Sequence, residues 1–280
     1  MPTKINLYSK SVVFFSIFML TCLSASAETV YERVLKSGKI RAGYTDWYPF
    51  LIKNPNTKKF SGIGYEALEL AAKRLGLKLE LTEEVSWGTM IEGLKSNRYD
   101  IIACPVWANS QRARAADFSR AICYSQIFAF TKYGDKRIDG SLKGVAEGRF
   151  KVSCLDGEMS EMIAKADFPA AKRLSLPQMA PVSDLLLNVS NGKADIAFTE
   201  SVLAAEFLKH NPKSIQNITP NKPLRIFPNV YMFKSGEGEL KAMLNTALDE
   251  VANSGELDRI ITKYEPSPKV YLRCALPYQR

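Results

Sequence analysis

The sequence GYEALELAAKRLGLKLEL, residues 64–81, changes its hydrophobic period from that of a helix to that of a strand. In its first part the apolar residues share one helical face: Tyr65, Leu68, Ala72 and Leu75. Gly76 follows as a helix stop, a position where glycine is favoured. Residues 77–81 then alternate between apolar and charged side chains, which is typical of a half-buried strand. A helix that leads directly into a strand is characteristic of α/β proteins.

The same alternation continues on both sides of this stretch. Residues 39–43, KIRAG, predict a strand before it, and residues 99–103, YDIIA, predict a short buried strand after it. A second helix is predicted over residues 87–95 by apolar residues at helical spacing: Met90, Ile91 and Leu94. The resulting βαβαβ order predicts a parallel sheet covered by helices.

A second set of elements follows a polar, glycine-containing region at residues 132–148. Its predicted strands lie at residues 150–155 and 194–198, and its predicted helices at residues 157–165, 182–190 and 200–209. A strand at residues 230–233 and two helices, at residues 239–251 and 256–264, follow this set.

This order of elements predicts two α/β lobes that are joined by two crossings, with the second lobe inserted into the first. We expect lobe one to comprise residues 28–125 and 225–280, and lobe two to comprise residues 126–224. A cleft between two such lobes is a common place for a small ligand.

The first 27 residues have the pattern of a cleavable secretory signal peptide. Lys4 and Lys10 precede an apolar run at residues 12–23, and Ala25-Ser26-Ala27 supplies a small-residue cleavage site. The apolar run is shorter than the roughly 20 residues that a membrane-spanning helix needs. Lipid attachment at Cys22 is an alternative, but the residues before it fit a lipid-attachment box poorly. We therefore expect export to the periplasm.

The composition argues against a nucleic-acid partner and against a metal site. The 280 residues carry a formal net charge of +9, but the basic residues are spread along the chain without long Lys/Arg blocks. His210 is the only histidine, and no C-x-x-C pair occurs, so a zinc site of the usual ligand types is not expected. We expect no cofactor and no metal.

Four cysteines follow the predicted leader: Cys104, Cys123, Cys154 and Cys274. Four cysteines in an exported protein allow two disulfides in three connectivities. Cys104 and Cys123 both lie near the first predicted crossing, so one hypothesis pairs them with each other and Cys154 with Cys274. Four free thiols are the alternative.

Residues 109–119, NSQRARAADFS, predict an anion-binding segment. They follow an apolar run and indicate a strand end, a short loop and the start of a helix, a junction that presents free backbone N–H groups. Arg112 adds a planar guanidinium that can hold a carboxylate through two parallel hydrogen bonds. Its anion is either a ligand carboxylate or a neighbouring side chain such as Asp117.

Six segments, in this order, resemble the type 3 periplasmic solute-binding proteins of ABC importers: GYTDWYPF at 43–50, GIGYEA at 62–67, WGTMIEGL at 87–94, NSQRARAADFS at 109–119, NGKADIAFTE at 191–200 and LDRIITKY at 257–264. The resemblance covers nearly the whole chain after the predicted leader. It implies a two-lobe periplasmic binding protein type II fold, with parallel-rich sheets flanked by helices and two hinge crossings. It also implies a monomer that delivers a small ligand to a membrane permease.

The resemblance implies roles for several residues. Arg112 matches the arginine that pairs with the ligand α-carboxylate, and Glu200 matches the acid that binds the α-ammonium. Trp47 and Trp87 match the positions that enclose the ligand side chain, and Tyr44 lies on the same strand. The alternative for the tryptophans is a place in the core, and for Glu200 a place beside a helix N-terminus.

Three positions depart from the family pattern. Asn109 replaces a threonine, Trp107 replaces a small residue that hydrogen-bonds the ligand, and Glu158 replaces the threonine of a Gly-Thr pair in lobe two. We therefore expect a ligand site with aromatic walls, to which these residues also belong. Together with the tryptophans, the acids Glu158 and Glu200 favour a cationic group on the ligand. Glu158 could instead point to water.

These observations predict a non-catalytic component that captures an amino acid or a related small amine-containing acid between the lobes. One alternative is an exported partner protein with a degenerate pocket, because the small polar donors are lost. Another is an enzyme similar to cyclohexadienyl dehydratases, which would need a well-placed general acid. Glu200 is a candidate for that acid, but residues 122–130 lack the lysine expected beside such a cleft.

Overall fold

A computed structural model describes residues 28–178 and 180–274. The predicted signal peptide lies outside the described residues. The helices are α1 (Val30–Ser37), α2 (Ile63–Arg74), α3 (Met90–Lys95), α4 (Ser110–Ala113), α5 (Lys143–Ala146), α6 (Met159–Asp167), α7 (Ser183–Ser190), α8 (Ser201–His210), α9 (Gly238–Asn253) and α10 (Glu256–Tyr264). Within the described ranges, no helix is long and apolar enough to cross a membrane.

The strands are β1 (Lys39–Tyr44), β2 (Ile52–Lys53), β3 (Phe60–Ser61), β4 (Lys78–Glu84), β5 (Ile101–Trp107), β6 (Ala116–Phe118), β7 (Cys123–Lys132), β8 (Lys151–Leu155), β9 (Lys172–Leu176), β10 (Ile196–Glu200), β11 (Ile215–Asn217), β12 (Arg225–Lys234) and β13 (Tyr271–Arg273). Most of them form one large sheet in the order β4-β1-β5-β12-β7-β10-β8-β9. The first and last three strands of this order pair in parallel, as the βαβ pattern predicts.

The centre of the sheet is an antiparallel pair of long strands, β7 and β12, which join the two parallel parts. Their register pairs Asn229 with Cys123 and Arg225 with Ile127. The chain thus crosses between two α/β lobes twice, which confirms the predicted two-lobe fold with two hinge crossings. The lobe boundaries after residues 125 and 224 stay a prediction: β7 runs through the first, and β12 begins directly after the second.

Buried apolar side chains form separate clusters in the two lobes. The lobe-one cluster includes Phe50, Leu68, Phe233 and Leu244. Clusters in lobe two include Ile127, Phe168, Phe198 and Phe207. Two side chains pack against the cluster of the other lobe: Val202, in α8, reaches the lobe-one cluster, and Trp107, at the end of β5, reaches a lobe-two cluster. The lobes are therefore in direct contact.

The segment 109–119 differs from its prediction. Only one turn of helix forms, α4, and the chain then enters β6, where Phe118 pairs with Met232 and Asp117 with Phe233 of β12. The predicted helix start is present at Ser110, but the helix is short, because strand pairing takes up the backbone immediately after α4. A helix of one turn contributes little macrodipole.

The four cysteines are free thiols in the structure, and no disulfide joins Cys104 to Cys123 or Cys154 to Cys274. Cys104, Cys123 and Cys154 are buried, and Cys274 is half-buried. The part of the tail that is described packs against the hinge, because β13 pairs with β7 and places Arg273 opposite Cys123.

Candidate functional site

A cleft of about 650 Å³ lies between the lobes on one side of the hinge strands. Most of its lining side chains are apolar or aromatic. The lining residues are Trp47, Trp87, Pro105, Val106, Trp107, Arg112, Leu155, Glu158, Met159, Ser160, Gln178, Ala180, Val182, Leu185, Thr199, Leu203 and Asn229. Lobe one supplies three indoles and the arginine, while lobe two supplies the glutamate and most of the aliphatic surface.

Trp47 is held by a tight loop between β1 and α2. Its backbone N–H donates to the carbonyl of Leu51 at 2.7 Å, and the N–H of Phe50 donates back to the carbonyl of Trp47 at 2.7 Å. Gly62 closes this loop at φ +112°, where a Cβ atom would lie 2.7 Å from the carbonyl oxygen of Phe50. The loop therefore requires glycine at this position.

The walls of the cleft are built from aromatic pairs. Trp47 and Trp87 meet edge to face, with ring centroids 5.3 Å apart and an interplanar angle of 90°. Trp107 stacks on Phe227 at 5.3 Å. Its indole Nε1–H donates to Oδ1 of Asn229 at 3.1 Å, so the buried polar edge of this ring is satisfied.

Arg112 is positioned by its own turn of helix. The Asn109 side chain caps α4 by accepting a hydrogen bond from the backbone N–H of Arg112 at 2.8 Å. Asn109 therefore holds the arginine and does not line the cleft itself. The guanidinium donates through Nη1 to the carbonyl of Trp107 at 3.3 Å.

A carboxylate from lobe two contacts this guanidinium. Nη2 of Arg112 lies 3.1 Å from Oε1 and 3.3 Å from Oε2 of Glu158, and Nε2 of Gln178 donates to the same Oε1 at 2.9 Å. The two charged side chains are only 12% and 20% exposed. Gln178 also reaches Gly88 of lobe one, where a Cβ atom would lie 3.1 Å from its Oε1. Arg112, Glu158 and Gln178 thus bridge the lobes.

Glu158 reaches the cleft because of the turn that follows β8. Gly157 has φ +71°, a left-handed conformation, and Glu158 is extended immediately before α6. This turn projects the glutamate side chain from the lobe-two edge toward lobe one.

Glu200 lies behind the cleft and is not among its lining residues. It ends β10, is 3% exposed, and its Oε1 has no hydrogen-bond partner in the described part of the chain. Burial raises the pKa of this carboxyl to about 7, while a hydrogen bond with the Ser125 hydroxyl lowers it. Asn229 donates to the same hydroxyl at 2.9 Å. Asn229 therefore connects Ser125, which lies beside Glu200, to the Trp107 wall.

Tyr44 also lies outside the cleft lining. Its side chain is buried, its hydroxyl accepts from Nζ of Lys53 at 3.0 Å, and its ring packs edge-on against Phe60 at 5.0 Å.

A comparison with family models matches residues 40–267 to the bacterial extracellular solute-binding proteins, family 3. The chain belongs to this family. The match includes both crossing strands and every residue that lines the cleft of this family 3 protein. The aromatic walls and the Arg112–Glu158 pair therefore lie within the part of the chain that matches the family.

Curated relatives of this family 3 protein are named as amino-acid-binding proteins. It is 25% identical over 238 residues to the L-cystine-binding protein TcyA of Bacillus subtilis, with 84% of each chain covered. It is 24% identical to a probable amino-acid ABC transporter-binding protein of Haemophilus influenzae, which covers 84% of this chain and 87% of the relative. Solute binding and a role with ABC transporters are thus properties of the relatives.

A solved structure supports the same fold. The ancestral amino acid-binding protein AncCDT-1, described as a precursor of cyclohexadienyl dehydratase, superimposes with a TM-score of 0.70 at 23% identity. The superposition covers 84% of this chain and 99% of the other. This likeness shows that the two chains share a fold.

The structure brings together five of the eight predicted site residues: Trp47, Trp87, Trp107, Arg112 and Glu158. Tyr44, Asn109 and Glu200 lie beside or behind the cleft, for the reasons given above. The cleft also contains three polar residues that were not predicted from the sequence: Gln178, Thr199 and Asn229. Gln178 lies in a turn after β9, Thr199 in β10 and Asn229 in β12, so only the fold brings them together.

Proposed function

We propose that this protein is the periplasmic solute-binding component of an ABC importer. It captures an amino acid or a related small amine-containing acid between its lobes and delivers it to a membrane permease. The observation that carries this proposal is the contact of Arg112, on lobe one, with a carboxylate supplied by lobe two inside an aromatic-walled cleft. A ligand carboxylate can make the same type of contact with this guanidinium.

The hinge gives this arrangement a mechanism. A ligand shifts the balance between open and closed lobes only when it contacts both of them. Lobe one offers Arg112 and the edge-to-face tryptophans, and lobe two offers Glu158 and Gln178. A ligand that touches both sets stabilises closure, and the permease can then distinguish the closed state from the open one.

Binding is favoured over catalysis by the position of the acids. A general acid must lie within hydrogen-bond reach of the substrate. Glu200 has a raised pKa, but it lies behind the cleft lining, and Glu158 is already engaged by Arg112 and Gln178. The arrangement therefore supports recognition of charge and shape more directly than proton transfer.

A thermal-shift screen of residues 28–280 against amino acids, amines and betaines tests the proposal. We expect at least one amino acid to raise the melting temperature, because a ligand that binds only the native state stabilises it. Arg112→Ala should abolish this shift. Arg114→Ala is the matched control, since Arg114 is exposed two residues further along and does not line the cleft.

Two results would contradict the proposal. A protein that no small ligand stabilises would fit the exported partner with a degenerate pocket. Turnover of prephenate or arogenate by the purified protein would establish the enzyme alternative.

A further inference from the structure

Arg112 and Glu158 are the only charged side chains among the described residues that line the cleft, and they contact each other. Their formal charges sum to zero. The remaining surface is mainly aliphatic and aromatic, so the cleft has a low local dielectric and a charge without a partner there is costly. Any charge that a ligand brings must therefore be matched by this single pair.

We propose that the cleft selects a zwitterionic amino acid with an uncharged, apolar side chain, and that Glu158 binds its ammonium group. Arg112 binds the carboxylate, and Glu200 takes no part in ligand contact. This inference rests on the proposed function and specifies its ligand class.

The pair has the capacity to hold both charges of such a ligand while remaining joined. The contacts of Arg112 with Trp107 and Glu158 use two of the nitrogens of a guanidinium that carries five N–H bonds in total. A carboxylate has about four acceptor sites, and Glu158 uses three of them, two for Arg112 and one for Gln178. The guanidinium can therefore also donate to a ligand carboxylate, and Oε2 of Glu158 can accept from an ammonium. A zwitterion adds no net charge to the cleft.

The rest of the lining selects the side chain. Besides the charged pair, its polar members are Ser160, Gln178, Thr199 and Asn229. The Ser160 hydroxyl accepts from the backbone N–H of Leu155 at 2.9 Å, and Asn229 is bound to Trp107 and Ser125. A lysine or arginine side chain would thus find no second carboxylate in the lining. An apolar side chain would instead pack against Trp47, Trp87 and the aliphatic surface of lobe two.

Thr199 supplies a further indication that a polar ligand atom belongs in the cleft. Its Oγ1 is buried at 1% residue exposure and has no hydrogen-bond partner among residues 28–178 and 180–274. A buried hydroxyl without a partner costs free energy, and a ligand N–H or carboxylate oxygen can satisfy it. The position of Thr199 at the end of β10 directs this donor from lobe two, on the same side as Glu158.

Calorimetry with matched probes tests the inference. The probes are L-phenylalanine and L-leucine, their decarboxylated amines, their deaminated acids, and L-arginine. We expect the two zwitterions to bind about tenfold more tightly, or better, than any of the others, because each missing or additional charge leaves one partner unmatched.

Two isosteric variants identify which glutamate binds the ammonium group of the ligand. Glu158→Gln should weaken L-phenylalanine about tenfold while the deaminated acid binds as before or more tightly, since Arg112 loses its competing carboxylate. Glu200→Gln makes the same chemical change at the other glutamate and is the control. It should change the affinity for L-phenylalanine less than about threefold.

Each of the other possible outcomes contradicts a specific part of the proposal. If Glu200→Gln, and not Glu158→Gln, weakens the zwitterions, the assignment of Glu158 is wrong and the importer function stands. Equal or tighter binding of an amine, a deaminated acid or L-arginine by the wild type overturns the ligand class alone. If none of these probes and no other amino acid binds, the proposed function itself fails.

Discussion

The indole N–H of Trp107 donates to the side-chain carbonyl of Asn229 at 3.1 Å, and this bond ties the wall of the cleft to the hinge. Asn229 lies on β12, opposite Cys123 of β7, and its amide nitrogen donates to Ser125 of β7 at 2.9 Å. One side chain thus connects both crossing strands to the ligand cleft. Since hinge motion must bend these strands, the network links closure to the position of the Trp107 ring.

Removing the Asn229 side chain should destabilise the fold. Asn229 is 2% exposed, and Asn229→Ala leaves the Trp107 N–H and the Ser125 hydroxyl without this partner in a buried site. We expect a loss of about 1–3 kcal/mol in the free energy of unfolding, measured by urea denaturation.

Trp107→Phe provides the matched comparison, because it removes the N–H donor but keeps an aromatic ring beside Phe227. In a double-mutant cycle the two losses should be less than additive, since both remove the same hydrogen bond. Strict additivity would show that the bond has no energetic role.

Glu200 should make stability depend on pH. Its pKa is about 7 in the folded protein and 4.5 in the reference state, so the folded state binds the proton more tightly than the unfolded state. The contribution of Glu200 to the free energy of unfolding is fully present below pH 4.5 and is lost as the pH rises through about 7. The total loss is roughly 3 kcal/mol at about 1.4 kcal/mol per pKa unit.

Urea denaturation of the wild type and of Glu200→Gln at several pH values checks this dependence. The difference between the two proteins should change across this window, because glutamine cannot titrate there. A constant difference would mean that Glu200 has an ordinary pKa in the folded state.

The tight loop that carries Trp47 should depend on Gly62. Gly62→Ala combines a positive φ with a Cβ atom 2.7 Å from the carbonyl oxygen of Phe50. Gly76→Ala is the control, since Gly76 also has positive φ, +69°, but no atom lies within 4 Å of its Cβ position.

We expect the control to lose about 1 kcal/mol of stability from backbone conformation alone. Gly62→Ala should lose more than that and should also weaken ligand binding, because the loop must shift. Equal losses in the two variants would show that the contact with Phe50 is relieved without cost. Thermal denaturation and calorimetry provide the two measurements.

The sequence predicted the layered α/β fold well because its signals are local. The hydrophobic period changes at Gly76, and the predicted strand follows it. The final helix, Glu256–Tyr264, also forms as its pattern predicts. The crossing strand β7 was missed, although it is ten residues long. Its alternation is weak because it is buried on both faces over much of its length, and only pairing with four other strands defines it.

The site was less predictable from the sequence, because its contacts join residues that are distant along the chain. Arg112, Trp47 and Trp87 lie in segments that match the family pattern, so their approach to the cleft could be anticipated. The contact between Arg112 and Glu158 depends on the relative position of the two lobes, which no local pattern encodes. Likewise, Glu200 ends a strand beside the cleft, but its side chain is buried and does not line the cleft.

Asn109 should act as a positioning residue for Arg112. Its side chain accepts the backbone N–H of Arg112 at 2.8 Å, and caps of this kind contribute about 0.5–2 kcal/mol. Asn109→Ala should weaken binding of the amino acid identified in the screen by about threefold to tenfold, through misplacement of the guanidinium. Asn109→Ser retains a capping oxygen and should restore most of the affinity. Failure of serine to restore binding would indicate direct ligand contact by the amide.

The cysteines provide a final test of the fold. All four described thiols are free, so alkylation of a protein comprising residues 28–280, in denaturant without a reductant, should modify Cys104, Cys123, Cys154 and Cys274. Under native conditions Cys274 should react first, because it alone is not fully buried. Burial raises its pKa to about 11, so even this reaction should be slow near neutral pH and should accelerate as the pH rises. Mass spectrometry after timed alkylation gives the order. Fewer than four reactive thiols in denaturant would instead establish a disulfide in the protein.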